Sequence, residues 1–60
     1  MEKNLDMIKR RIKELQRMID INYRCISEYA AFLPDYELQL IIKENEALSE
    51  ELERLKWEVA

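Results

Sequence analysis

Apolar residues recur along this chain at alternating steps of three and four. Leu5, Ile8, Ile12, Leu15, Ile19, Asn22, Ile26, Tyr29 and Leu33 form one stripe, and Leu38, Ile41, Asn45, Leu48, Leu52, Leu55 and Val59 form a second. This is the heptad seam of a coiled coil, because a mean step of 3.5 residues keeps one side of a helix turned toward a neighbour. Each stripe is broken once, by an asparagine. Folding the chain back so that Asn22 faces Asn45 brings Ile26 opposite Ile41, Tyr29 opposite Leu38, Ile19 opposite Leu48, Leu15 opposite Leu52, Ile12 opposite Leu55 and Ile8 opposite Val59. Of the registers that match two heptad stripes, this one both pairs the asparagines and puts the crossover at the single proline, Pro34, where a helix breaks anyway.

The pattern therefore predicts an all-α fold, an antiparallel two-helix hairpin spanning residues 1–60 as one domain. The first helix is expected from about Glu2 to Ala31, the turn over about Phe32 to Asp35, and the second helix from about Tyr36 to Val59. Leu33 precedes proline and is pushed toward extended geometry. Pro34 suits the first helical position, or Asp35 caps the second helix, and Glu37 then complements the helix dipole. The rival is one continuous helix, which has to absorb both the proline and the five-residue step from Leu33 to Leu38 as a kink.

Composition narrows the class. A chain of 60 residues buries only about 60% of its unfolded surface, so a lone hairpin is marginal and self-association is the expected remedy. The flanks of the seam say where. Toward the open end they are polar (Lys9, Arg11, Gln16, Glu51, Lys56, Glu58), whereas toward the turn they become apolar (Met18, Tyr23, Cys25, Ala30, Phe32, Ile42), with Ile21 and Leu40 beyond them. A stripe wider than one seam needs a further packing partner. Met18, Tyr23, Cys25, Phe32 and Ile42 are therefore the expected self-association residues, and two hairpins meeting there make a dimeric four-helix bundle. A protein partner is expected on the same grounds, and no cofactor.

The sequence offers little for catalysis. With no histidine and one cysteine it lacks the ligands of the usual zinc sites and the base of a His-assisted nucleophile, so no metal site and no enzyme activity are expected. Glu37, Glu44, Glu51 and Glu58 recur every seven residues, the spacing of charges flanking a seam. The lone Cys25 cannot close an internal disulfide, and with no signal peptide or membrane-length apolar run the expected compartment is the cytoplasm, with no membrane association. Asn22 and Asn45 read as a register device, since facing amides satisfy one another; a polar ligand site is the other reading.

Charge is distributed unevenly. Seven of the ten basic residues precede the turn and eight of the thirteen acids follow it. Lys3, Arg10, Arg17 and Arg24 lie seven apart opposite the seam, and Lys9, Arg11 and Lys13 widen this ridge. Lys3, Arg10, Lys13, Arg17 and Arg24 thus make a possible nucleic-acid or acidic-partner surface of about 30 Å. The competing reading is a solvated face laced by intrahelical pairs of Asp6 with Arg10, Glu14 with Arg17 and Asp20 with Arg24. Trp57 and Tyr36 are expected to point away from the seam, which makes Trp57 a further partner-contact candidate.

Three resemblances accompany these residues. Chain length, hairpin and acidic balance resemble the Rop family of plasmid copy-control proteins, in architecture only; that resemblance implies a dimeric four-helix bundle that binds paired RNA loops. Leu48-Ser49-Glu50-Glu51-Leu52-Glu53 is similar to the Ser-Gln-Glu-Leu-Asp signature of small helical-hairpin phosphatases acting on sporulation response regulators, with Glu50 in place of the glutamine and Glu53 in place of the aspartate. Met18-Ile19-Asp20 is similar to the opening helix of helical chorismate mutases, but no third helix follows. The function expected from the residues themselves is a small non-enzymatic interaction module, an adaptor or regulator; the alternative is a nucleic-acid-binding regulator using the basic ridge.

Overall fold

In the computed structural model, which describes residues 2–59 and the side chains of 4–59, two helices fold back on each other. Helix α1 runs Glu2–Tyr29, a single 3₁₀ turn follows over Ala30–Phe32, and helix α2 runs Asp35–Val59. The hairpin is a rod of 46 × 15 × 14 Å. No strand occurs among the described residues.

The turn is built by the proline as the local rules require. Leu33 is extended, with φ −98° and ψ 140°, because the pyrrolidine ring of Pro34 disfavours helical geometry at the preceding residue. α1 closes two residues earlier than expected: its last turn tightens into the 3₁₀ segment, and the Leu33 amide donates to the Tyr29 carbonyl at 3.1 Å. At the other side, the Pro34 carbonyl accepts from the Glu37 and Leu38 amides at 3.0 and 3.1 Å. Proline thus occupies the cap position, one residue before the first helical place expected for it. Asp35 is the first helical residue, and with Glu37 it puts two carboxylates in the turn where unpaired amides carry partial positive charge.

The seam lies where the heptads put it. Every stripe residue from Ile8 to Val59 is buried or half-buried apart from Tyr29, and Leu5 near the open end is also exposed. Leu15 is completely buried, Leu48 nearly so, and Asn45 is enclosed beside them. One fully and one nearly enclosed leucine make a thin core, as expected of two helices with no second layer.

The paired asparagines meet. Asn22 Nδ2 donates to Asn45 Oδ1 at 2.7 Å and makes a longer 3.4 Å contact with Glu44 Oε1. Among the described residues, no buried side-chain nitrogen or oxygen is left without a partner. In the register marked by this contact, Leu40 comes level with Ser27 and Ile42 with Cys25.

Candidate interaction surfaces

The two long edges of the hairpin differ in what they carry. Residues that immediately precede the a-type seam positions lie on one edge: Arg11, Met18 and Cys25 from α1, Phe32 from the 3₁₀ turn, and Glu37, Glu44 and Glu51 from α2. The Arg11–Glu51 pair closes this edge toward the open end, with Nε donating to Oε2 at 2.9 Å and a second nitrogen to Oε1 at 3.2 Å. Arg11 also reaches Glu14 at 3.1 Å. The hydrogen bond from Arg11 is the main cause holding Glu51 below the usual carboxylate range, against a smaller opposing effect of desolvation. The same bond raises the guanidinium above its ordinary value.

Residues that immediately follow the d-type seam positions lie on the other edge. There Tyr23 lines a shallow groove with Asn45, Glu46, Ser49 and Glu50. Ile42 belongs to this edge by the same count. The five residues expected to drive self-association therefore divide: Met18, Cys25 and Phe32 on one edge, Tyr23 and Ile42 on the opposite one. The heptad count contained this division, since the two sets sit on opposite sides of the stripe.

The apolar surplus is concentrated near the turn. Phe32 is 81% exposed, Tyr23 63%, Leu40 62% and Ile21 59%, while Met18 and Cys25 are half-buried. Tyr29 is more exposed than its seam position predicts. It is 52% exposed and lines a depression with Ile21, Arg24, Cys25 and Glu28. It is the last residue of α1, although the next stripe residue, Leu33, is again half-buried. Trp57 and Tyr36 are exposed on the outside of α2.

The basic ridge stands in solvent. Arg10, Lys13, Arg17 and Arg24 are all exposed, and the side chain of Lys3 lies outside the described residues. The intrahelical pairs expected to neutralise the ridge are not formed: among the described residues, ion pairs are made by Arg11 alone, and Glu14 goes to Arg11 rather than Arg17. Ser49, Glu50 and Glu53 line an open depression with Arg54 on the outside of α2. Among the described residues no group of three or more potential ligands is placed to hold a metal ion, and no helix is long and apolar enough to cross a membrane.

No protein-family model matches this chain, and no curated protein or solved structure matches it either.

Proposed function

We propose that this chain is a small non-enzymatic interaction module of the cytoplasm, an adaptor or regulator that works by helix–helix packing and self-association. The observation that carries the reading is the cluster of large exposed apolar side chains at the turn-proximal half, above all Ile21, Tyr29, Phe32 and Leu40. Apolar surface of this kind on so small a body is costly in water and marks a surface that packs on something. The hairpin beneath it has a thin core that a second layer of helices would complete as a dimeric four-helix bundle. Sedimentation equilibrium from low micromolar to near-millimolar protein is the test. A mass rising to twice the 7.3 kDa chain is the expected result. A monomer at every concentration refutes self-association.

A second reading is supported by the ridge, where Arg10, Lys13, Arg17 and Arg24 stand along one side of α1 and make no ion pair among the described residues. Such a row suits a phosphate backbone, and its affinity would fall steeply with salt as condensed counterions are released. Fluorescence anisotropy of a labelled RNA hairpin and of a random duplex, titrated at two salt concentrations, tests it. Binding that is weakened at least tenfold by raising salt and by Arg17→Ala with Arg24→Ala supports the ridge. Absence of binding at low salt removes this reading.

A further inference from the structure

The apolar residues that flank the seam near the turn, on α1 and the 3₁₀ segment after it, repeat with mirror symmetry in the sequence. Met18, Ile21, Cys25, Tyr29 and Phe32 are spaced three, four, four, three, so that the half-buried Cys25 stands at the centre of the set, with Ile21, Tyr29 and Phe32 exposed around it. Four of them lie on or beside the Arg11 edge of the hairpin, and Tyr29 lines one depression with Ile21 and Cys25. A surface that reads the same in both directions along a helix is what an isologous two-fold contact needs, because residue i must meet j while j meets i. From this the geometry points to a second copy of the same chain as the occupant, with α1 packed antiparallel on α1 of its partner and the two-fold axis passing beside Cys25. This rests on the self-association reading and adds which face meets which, and in what register.

The pairing is complementary in size and charge. Met18 comes level with the partner's Phe32 and Ile21 with its Tyr29, long flexible or branched side chains against aromatic rings, while the small Cys25 sits at the point of closest approach. Arg24 and Glu28 border the depression and make no ion pair within the chain. About the same axis, Glu28 of each copy falls within roughly 3 Å along the helix of the other's Arg24, which gives two equivalent cross-pairs. Leu40 of α2, exposed at the level of Ser27, extends the contact so that both helices of each hairpin contribute. The opposite edge, with Tyr23 and Ile42, has no such symmetry and is left outside the contact.

The register also fixes the shape. Cys25 lies about 13 Å from the tip of the hairpin at 1.5 Å per residue, so two copies overlap over about 26 Å and their open ends point in opposite directions. From a hairpin length of 46 Å, the dimer is then about 66 Å long. Across a width of 15 Å the overlap buries roughly 400 Å² per partner, about half that of a standard interface, so the dimer belongs with weak, reversible contacts.

The experiment combines sedimentation equilibrium with small-angle X-ray scattering and crosslinking through native Cys25, all on the full chain. Disulfide formation between copies under an added oxidant, which needs the two Cys25 Cα atoms within about 4.4–6.8 Å of each other, reports the axis. A dimer near 66 Å long that crosslinks through Cys25 is the expected result. Ile21→Lys should shift the dimerisation midpoint at least tenfold toward higher concentration with unchanged helical circular dichroism, and Tyr23→Lys should not. Phe32→Lys, at a more exposed position off the seam, replaces Ile21→Lys should the latter lose helicity. A dimer only about 46 Å long, or one broken by Tyr23→Lys and indifferent to Ile21→Lys, overturns this register while leaving self-association intact. A monomer throughout removes both.

Discussion

The asparagine pair gives the sharpest energetic test, because its two members sit in unequal surroundings. Asn45 is 8% exposed and depends on Asn22 for its side-chain oxygen, whereas Asn22 is only half-buried and also faces Glu44 and water. Asn22→Leu therefore strands a buried acceptor, costing about 1–3 kcal/mol, offset by about 1 kcal/mol of partial leucine burial. Asn45→Leu strands only an amide that water can reach, and it adds a nearly fully buried leucine worth about 1.5–3 kcal/mol against a hydrogen bond of about 1 kcal/mol. The order of stability should be Asn22→Leu below wild type, wild type at or below Asn45→Leu, and the double variant highest, about 2–4 kcal/mol above wild type.

Urea denaturation followed by circular dichroism at one fixed protein concentration measures all four corners of the cycle. The coupling energy should be about 1–3 kcal/mol, well outside the roughly 0.5 kcal/mol scatter of independent sites. The double variant should also lose uniqueness, since a leucine seam packs in more than one register, and amide exchange at the seam should quicken relative to its global stability. A double variant less stable than wild type, or singles whose effects simply add, would refute the account of this pair.

Other changes probe the remaining supports of the fold. Leu15→Ala removes the one completely buried side chain and should cost about 2–5 kcal/mol, enough to abolish a cooperative thermal transition; retention of one within about 5 °C of wild type would show that the core lies elsewhere. For Arg11 and Glu51 the folded-state pKa of the carboxylate is depressed, so its contribution is present above the ordinary carboxylate range and is lost as pH falls below that range through the folded value. Glu51→Gln should flatten that part of the acid-denaturation curve, and the charge-reversed pair Arg11→Glu with Glu51→Arg should be more stable than either single reversal. Pro34→Ala should lower stability by about 0.4–1 kcal/mol through a freer unfolded chain, with the hairpin kept, and scattering showing a rod of twice the hairpin length would reveal that the proline alone prevents the continuous helix.

Most of the hairpin was legible because its determinants are periodic or local. Heptad spacing located the seam from Ile8 to Val59, the asparagines fixed its register, and the proline marked the turn. What escaped depends on how a helix ends. Tyr29 is the last residue of α1 and has no following helical turn to cover its large ring, so it is 52% exposed where a regular heptad would bury it. Along the ridge, the expected pairs of Asp6 with Arg10, Glu14 with Arg17 and Asp20 with Arg24 do not form among the described residues. Intrahelical pairs at three and four residues are worth only a few tenths of a kcal/mol, too little to compete with solvation or with a better-placed acceptor such as Glu51 for Arg11. Grouping the apolar flank residues as one surface likewise ignored that positions before and after a seam residue lie on opposite edges.

The thin core and the exposed tip are two sides of one physical fact. Two helices can enclose little more than the residues directly between them, which here leaves Leu15 and Leu48 as the only apolar side chains shut away from water among the described residues. Adding apolar residues to such a hairpin does little to deepen its core, because among the described residues there is no further element for them to pack against. Ile21, Phe32 and Leu40, each more than half exposed, therefore add little to folding of the single hairpin and carry a solubility cost. They become stabilising when another surface covers them, and covering them on the folded form alone draws the folding equilibrium with it by mass action. On that argument the exposed tip and the marginal seam belong together, and the proposed association would supply the second layer that two helices cannot provide for themselves.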